Sequence, residues 1–376
     1  MTFRDFLENA VKTLLSALTL ALPATAVGAQ ECPPYSGHIL EAVPADFPAA
    51  APFPDADIAP QRAEALAAAV DRARSATGAP AIGAAVLTRE GRWQSADAGQ
   101  AFYWASAGKL ATATIIMQLV EEGRYSLDTP IAQFVPAVPE GERITIGMLL
   151  SHTSGLRSAN EILRERSLPS PETLADEIAL ISQDGLLFCP GSAWRYSNTG
   201  YALLGAAIEA VDGGDFAASV QRRLAEPLGL DSFRALTDRA DTGFAFLAPA
   251  PVEPIFHPAQ AGPAGNIVAT PTDMAAFMAA LVQGRIVPMD RLRAMGSRTY
   301  PMFDEGTYYG LGLMAYRFPG ADGESEGWLG HSGGVPGAKA IVIYDQRRGQ
   351  IVAAALTGDG SAEATANLLT RTAGGE

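Results

Sequence analysis

Two strand pairs stand at opposite ends of this chain, and they restrict its possible folds more than any other feature of the sequence. Near the N-terminus, the apolar run Ala81–Thr88 and the segment Trp93–Gly99 flank a turn over residues 89–92. Near the C-terminus, Ala338–Tyr344 and Gln350–Thr357 form a second such pair. Each hairpin predicts antiparallel pairing, so we expect one sheet built from both termini, with the intervening residues inserted as a separate lobe.

The intervening residues show mainly helical patterns that are interrupted by proline and glycine. The predicted helices are Gln61–Ala76, Leu110–Val120, Ile144–Leu150, Pro171–Ile181, Gly200–Val211, Phe216–Leu224 and Ala362–Thr372. The predicted fold class is therefore α+β, an α/β sandwich in which helices flank an antiparallel sheet. Its sheet subdomain covers about 61–105 and 265–376, and its mainly helical lobe covers about 106–264, so that the whole domain is 61–376.

The N-terminal residues predict export. Basic residues flank the start, an apolar run follows from Thr13 to Val27, and Val27-Gly28-Ala29 resembles a small-residue cleavage site. The run is shorter than the roughly 20 residues that span a bilayer. We therefore expect a cleaved signal peptide over 1–29, an irregular lead-in over 30–60, a periplasmic or secreted mature protein, and no stable membrane span.

Charge and cysteine content exclude several partners. With 27 basic and 41 acidic residues, the net charge of -14 disfavours nucleic acid. Two cysteines and four scattered histidines match no metal-ligand spacing, so neither a metal nor another cofactor is expected. In an oxidising compartment Cys32 and Cys189 can form a disulfide; two unpaired thiols are the alternative.

The first candidate catalytic pair is Ser106 and Lys109, at the start of the predicted buried helix Leu110–Val120. Residues three apart share a helix face, so the amine would reach the serine oxygen. Poor solvation lowers the pKa of such a lysine and allows it to act as a base. The plainer alternative is a serine N-cap followed by an ordinary surface lysine, but the chain has only three lysines.

A second candidate segment is Tyr196-Ser197-Asn198, the only Y-x-N of the sequence. A phenol held near a lysine can transfer protons. The Asn198 amide has both a carbonyl to orient the lysine and an amino group to bind substrate. Alternatively, Tyr196 packs in the core and Asn198 lies in a turn.

A third candidate segment, Gly330-His331-Ser332-Gly333-Gly334, precedes the C-terminal hairpin. Glycines at a strand edge let a substrate approach the backbone, where a free N–H can bind an oxyanion. A glycine turn entering a strand is the alternative. The segment also matches the G-x-S-x-G nucleophile elbow, but a strand-like run follows and no histidine comes after His331, so we reject Ser332 as the nucleophile.

These three elements, in this order, resemble those of the serine β-lactamase and penicillin-binding-protein superfamily, in particular its class C-like branch of esterases and D-aminopeptidases. The family order is S-x-x-K, then Y-x-N, then K-T-G or H-x-G on a C-terminal strand. The segments 149–156 and 264–273 are also similar to segments of this family, and the resemblance covers about 60 to 372.

The resemblance implies an acyl-enzyme on Ser106, with Lys109 and Tyr196 sharing the proton transfers. It also implies that Asn198 and the 331–334 segment bind substrate, and that the backbone N–H groups of Ser106 and Gly334 form the oxyanion hole. His152 follows a helix far from the other motifs, and we interpret it as structural rather than catalytic.

One departure from the family pattern affects the expected substrate. His331 stands where the family often has lysine, and a histidine is mostly neutral at pH 7. We therefore expect an exported serine hydrolase of esters, small amides or D-amino-acid peptides. A β-lactamase or D-alanyl-D-alanine carboxypeptidase remains an alternative, as does a sensor that binds penicillin-type ligands without turnover.

Overall fold

An eight-stranded antiparallel sheet forms the centre of the molecule. The computed structural model describes residues 50–246, 257–302, 306–319 and 325–376. The strand order is β2-β1-β11-β10-β9-β8-β7-β6. These strands are β1 (Ile82–Leu87), β2 (Arg92–Gln94), β6 (Tyr300–Pro301), β7 (Thr307–Tyr309), β8 (Met314–Pro319), β9 (Ser325–Val335), β10 (Ala338–Asp345) and β11 (Gln350–Thr357).

The two terminal hairpins meet in this sheet, as predicted. Strand β1 pairs with β11 along its whole length, from Ile82 opposite Leu356 to Leu87 opposite Ile351. Both faces of these strands are buried, which explains why their sequences are almost continuously apolar rather than alternating. The predicted α+β class with its antiparallel sheet is confirmed.

Helices cover both faces of the sheet. The helices are α1 (Pro60–Thr77), α2 (Lys109–Glu121), α3 (Ile146–Leu150), α4 (Ala159–Arg166), α5 (Leu174–Ser182), α6 (Asn198–Asp212), α7 (Phe216–Val220), α8 (Glu226–Leu228), α9 (Pro271–Val282), α10 (Met289–Gly296) and α11 (Ala362–Gly374). Helices α1 and α11 pack on one face, where Leu66 and Leu369 meet Ile343. Helix α9 packs on the other face, in the same core as α2, where Phe277 and Leu110 lie with Val342.

A second, three-stranded sheet joins the helical residues to the large sheet. Its order is β3-β5-β4, formed by β3 (Phe102–Tyr103), β4 (Arg234–Ala235) and β5 (Ile267–Ala269). A 3-10 segment, Pro258–Ala264, lies against α6 at Gly205, where an added Cβ would come within 2.1 Å of Pro263. The segment is thereby held close to the start of α2, because Thr112 also donates a hydrogen bond to the Pro263 carbonyl at 2.6 Å.

Several predicted elements differ from the observed ones. The second strand of the N-terminal hairpin ends at Gln94 rather than Gly99, and a 3-10 helix, Ala96–Gly99, replaces the rest. The Ser95 hydroxyl accepts a hydrogen bond from the Ala84 amide, so a side-chain oxygen replaces a backbone carbonyl as the acceptor where the strand pairing ends. Helices α4, α9 and α10 and strands β6–β8 were not predicted at all.

The described residues include no helix with the length and apolar character needed to cross a bilayer. The predicted signal peptide, 1–29, and most of the lead-in, 30–60, lie outside the described residues, so both remain predictions.

Candidate active site

Ser106 and Lys109 lie on one face of a tight helical turn, close enough for a hydrogen bond. The 3-10 helix Ala105–Gly108 runs directly into α2, and residues three apart in such a helix are eclipsed. The Lys109 Nζ donates to the Ser106 Oγ at 3.2 Å. Ala105 has a left-handed φ of 46°, an uncommon conformation for a residue with a side chain. The turn therefore presents the serine from a constrained backbone.

The Lys109 amine is buried among neutral acceptors. Besides Ser106, its Nζ donates to the Asn198 Oδ1 at 2.8 Å and to the Ala264 carbonyl at 2.5 Å. The side chain is fully buried and has no carboxylate partner among the described ion pairs. Burial lowers the pKa of Lys109 well below its usual value. A neutral amine next to a serine hydroxyl can accept its proton.

Tyr196 and Asn198 reach this pair from the start of α6. Ser197 caps the helix by accepting a hydrogen bond from the Gly200 amide, which fixes the residues on either side of it. The Tyr196 ring centroid lies 4.9 Å from the Lys109 Nζ. Burial raises the pKa of Tyr196, and a hydrogen bond with the Ser106 side chain opposes that rise. Tyr196 is therefore a neutral phenol, with a proton to donate.

Strand β9 brings the third predicted segment to the same place. Strand β8 pairs with β9 only as far as Gly330, whereas β10 continues to Val335. Residues 331–335 thus have one edge without a strand partner in the described part of the chain. A Cβ on Gly333 would lie 2.5 Å from the Ser106 nitrogen, so only glycine allows this approach. The three predicted segments meet around Ser106.

A cavity of about 550 Å³ opens at this meeting point. It is lined by Ser106, Tyr196, Met314, Ser332, Gly333, Gly334, Lys339, Asp359, Gly360, Ser361 and Glu363. Its charged residues are one lysine and two carboxylates, with Lys339 lying 3.4 Å from Asp359. The described residues hold no cluster of His, Cys, Asp and Glu suited to a metal ion.

His331 lies beneath the cavity rather than in its wall. The side chain is fully buried, and its Nε2 lies 3.0 Å from the Tyr309 hydroxyl, which in turn lies 3.1 Å from the Tyr201 hydroxyl. Burial lowers the pKa of His331 to about 3, and the nearby Lys109 acts in the same direction. His331 is therefore neutral, as expected, but it supports the site through buried tyrosines rather than contacting the cavity.

The neighbouring Ser332 does line the cavity, but its surroundings differ from those of an elbow nucleophile. Strand β9 continues past it to Val335 and turns into β10, so no helix follows. Its Oγ lies 3.8 Å from the Met314 sulfur. The geometry agrees with our rejection of the G-x-S-x-G match.

His152 was interpreted as distant from these motifs, and that placement was wrong. After α3 ends, the chain turns sharply at His152, where φ is 61°. This turn places the imidazole 4.2 Å from the Tyr196 ring, centroid to centroid. Its Nδ1 accepts a hydrogen bond from the Ser197 amide at 3.1 Å. Because Nδ1 is an acceptor, Nε2 carries the proton, and that atom is buried without a hydrogen-bond partner among the described residues.

Some contacts of the site had no catalytic motif to predict them. Tyr201 and Tyr309 form the buried chain under His331, and the Asn160 Oδ1 accepts from the Asn198 Nδ2 at 3.2 Å. The Ala264 carbonyl, which accepts from Lys109, lies in the segment 264–273 that already resembled the family. That segment was the one signal that could have located it.

Of the two cysteines in the predicted disulfide, Cys189 lies within the described residues. Cys189 is not a free thiol, and its Sγ lies 3.5 Å from an Arg143 nitrogen. Cys32 lies outside the described residues, so its pairing with Cys189 remains a prediction.

Comparison with known proteins identifies the family. A family model described as Beta-lactamase matches residues 65–374, which is most of the chain. The chain belongs to the beta-lactamase family. Together with this site geometry, membership supports a serine hydrolase.

Individual relatives span several activities. Penicillin-binding protein 4 of Amycolatopsis lactamdurans is 30% identical over 289 residues, covering 69% of this chain and 73% of that protein. Esterase EstB of Burkholderia gladioli is 32% identical over 145 residues, covering 34% and 37%. The solved structure of a D-stereospecific amidohydrolase from Streptomyces sp. is 29% identical with a TM-score of 0.67, covering 81% of this chain and 96% of that one. Two further curated relatives are matched over only 56% and 53% of their own lengths.

We predict that Lys109→Met makes the free energy of unfolding less dependent on pH. Between the lowered folded pKa of Lys109 and 10.5, the unfolded chain binds a proton that the folded chain does not. Wild-type stability therefore rises with pH through this window, by at most about 1.4 kcal/mol per pH unit from this residue. Urea denaturation between pH 7 and 9.5 measures the free energy of unfolding of both proteins. The value for Lys109→Met minus the value for wild type should fall as pH rises.

Lys339→Met is the matched control, because Lys339 is partly exposed. The free energy of unfolding of this variant should follow the wild-type pH dependence. A pH-independent difference between Lys109→Met and wild type would show that the amine is charged in the folded protein.

We also predict that His152 positions Tyr196. His152→Ala should lower kcat by about tenfold to a hundredfold with little change in KM, because a displacement of about 1 Å at a reacting group has effects of that size. His152→Asn should recover part of the rate, since asparagine tolerates a positive φ and retains an acceptor for the Ser197 amide. Equal kcat values for both variants and wild type, at matched melting temperatures, would rule out this role.

Proposed function

We propose that this protein hydrolyses carboxylic esters and small amides, D-amino-acid peptides included, through an acyl-enzyme on Ser106. The observation that carries the proposal is the 3.2 Å contact between a buried lysine amine and the Ser106 hydroxyl. Nucleophilic serines need an adjacent base, and Lys109 is held in place by Asn198 and the Ala264 carbonyl.

The proposed reaction starts with attack of the Ser106 oxygen on the substrate carbonyl carbon. As the oxygen–carbon bond forms, the serine proton passes to Lys109 or Tyr196, which are both adjacent. The leaving alcohol or amine takes a proton from this pair as its bond to the carbonyl carbon breaks. Water then attacks the acyl-enzyme, loses a proton to the same pair and releases the acid with the serine restored. Backbone N–H groups of Ser106 and Gly334 are our candidates for binding the oxyanion.

The buried surroundings of Lys109 and Tyr196 support their sharing of the proton transfers. A lysine with a lowered pKa is an effective base near neutral pH, and a phenol with a raised pKa keeps its proton for the leaving group. His331 and His152 both remain uncharged beside Lys109, since burial lowers the pKa of each. Neither histidine therefore adds a positive charge that would change the balance between the two groups.

The cavity favours esters and amides over β-lactams in our proposal. His331 brings no positive charge to the cavity, and Lys339 is paired with Asp359. A substrate carboxylate, which β-lactams and cell-wall peptides carry, would thus meet no unopposed cation there. The esterase and the D-stereospecific amidohydrolase among the relatives support the two bond types. The signal-like N-terminus supports action in the periplasm or outside the cell.

Covalent labelling tests the nucleophile. A fluorophosphonate probe should label the wild-type protein and Ser332→Ala but not Ser106→Ala, because the Lys109 amine lies beside Ser106, whereas the Ser332 hydroxyl lies near the Met314 sulfur. Lys109→Met and Tyr196→Phe should each lower kcat for p-nitrophenyl butyrate by about 10²–10⁴-fold, the usual contribution of a general acid or base. Unlabelled wild type, with a ligand still bound, would favour a sensor over an enzyme. Labelling of Ser106→Ala would move the nucleophile elsewhere.

A comparison of substrates tests the preference. We expect kcat/KM for p-nitrophenyl butyrate to exceed that for the β-lactam nitrocefin by at least tenfold, because the cavity has no unopposed cation for the nitrocefin carboxylate. His331→Arg is a weaker test, since the buried position cannot hold a charge without disturbing Tyr309. Efficient turnover of nitrocefin by wild type would contradict the preference and favour a β-lactamase.

A further inference from the structure

A second cavity, larger than the first, continues from the candidate active site along the C-terminal helix. Its volume is about 960 Å³, a size that accommodates a drug-sized ligand. One wall is formed by Tyr316, Phe318 and Trp328 of strands β8 and β9, and the other by Ala364 and Leu368 of α11. We call this cavity the α11 groove.

The aromatic wall of the α11 groove is a row of side chains on one face of the sheet. Tyr316 lies opposite Trp328 in the β8–β9 register, and Phe318 follows on the same face because alternate residues of a strand point the same way. The Phe318 and Trp328 rings contact edge to face, with centroids 4.6 Å apart. The wall is therefore largely apolar, and its rings pack against one another.

The row is buried at Trp328 and Tyr316, which are 3% and 8% exposed, and opens towards solvent at Phe318. Helix α11 packs on strands β10 and β11. An apolar sheet face is normally buried against another layer. Here the open space beside the aromatic row is the groove itself, and Leu368 and Phe318 remain partly exposed to it.

The α11 groove is continuous with the cavity at Ser106. Met314, Ser332 and Glu363 line both cavities. These three residues stand at the junction, between the nucleophile on one side and the aromatic row on the other. A molecule whose carbonyl lies at Ser106 can therefore extend into the α11 groove without leaving the protein surface.

The polar groups that line the α11 groove include Arg72, Thr307 and Asn367 as well as groups near its two ends. Glu363 is at the junction with the catalytic cavity, while Arg371 and Glu376 are at the far end, 3.4 Å from each other. The charges at the far end are thus already paired. The aromatic and aliphatic side chains of the two walls favour an apolar chain over a charged one.

We propose that the α11 groove binds the apolar part of the substrate, so that the preferred substrates are esters or amides with an aryl group or a long alkyl chain. This proposal rests on the acyl-enzyme reaction at Ser106. The apolar group could belong to the acyl half or to the leaving group, because both halves flank the carbonyl that Ser106 attacks.

Two substrate series distinguish these halves. p-Nitrophenyl acetate, butyrate and octanoate change only the acyl chain, whereas phenyl acetate and 1-naphthyl acetate change only the leaving group. We expect kcat/KM of wild type to rise at least tenfold along one series, since each buried methylene contributes up to about fourfold. The series that shows the rise identifies the half in the groove.

Ala364→Trp should remove that rise while leaving the rate on p-nitrophenyl acetate within about twofold. Position 364 is exposed on α11, so the indole fills the groove without entering the core. Ala210→Trp, at an exposed position of α6 away from the groove, is the matched control and should behave as wild type. Leu368→Gln, which removes apolar surface without adding bulk, should reduce the rise if Ala364→Trp fails to fold.

Failure of this proposal differs from failure of the reaction. Wild type that hydrolyses acetate esters through Ser106 but shows no rise in either series would overturn the groove assignment alone. If no ester is hydrolysed, thermal shift with octanoate against acetate still tests the groove. Stabilisation by octanoate that is lost in Ala364→Trp would support the assignment, and equal shifts would overturn it. A change from dimer to monomer in Ala364→Trp would instead assign the groove to a second copy of the chain.

Discussion

The burial of one lysine amine organises the site. An ammonium in an apolar interior is expensive unless it is paired with an opposite charge. Among the described residues, the hydrogen-bond acceptors of Lys109 are neutral oxygens, those of Ser106, Asn198 and the Ala264 carbonyl. The low-energy form of Lys109 is therefore the uncharged amine. The cost of burial thus favours a neutral amine beside the Ser106 hydroxyl, as the proposed reaction requires, and the three acceptors come from three separate parts of the chain. Any change that lets water reach the amine would raise its pKa and leave it protonated, unable to accept the serine proton.

The sheet holds those separate parts together. Helix α2 starts beside β9 because Gly333 lets the strand approach the Ser106 turn without a side chain between them. The same strand is paired with β10 up to Val335, so its position is fixed by the C-terminal hairpin. On the other side, Gly205 brings α6 against Pro263, and the Ala264 carbonyl follows directly. Close packing at two glycines therefore sets the positions of the nucleophile and of an acceptor for its base.

The sequence predicted the parts of this arrangement whose patterns are local. The apolar runs at 82–87, 338–345 and 350–357 are buried on both faces, so their strands were evident. Strands β6 and β7 have two and three residues, too few to show a period, and their pairing depends on β8. His152 was misplaced because its contact with Tyr196 arises from a single left-handed residue after α3. The α11 groove depends on how helix α11 packs beside the sheet, which no local sequence pattern predicts.

The substrate preference that we propose follows from shape more than from charge. With His331 neutral and Lys339 opposed by Asp359, the cavity at Ser106 has no cation free to hold a carboxylate. In our proposal the binding energy comes instead from the apolar side chains of the α11 groove, among them Tyr316, Phe318 and Trp328. Hydrophobic contact is non-directional, so such a site distinguishes substrates by length and bulk and tolerates different leaving groups. Relatives named as a penicillin-binding protein, an esterase and a D-stereospecific amidohydrolase are similar to this chain, and we expect such proteins to differ in the surfaces beside the reacting serine.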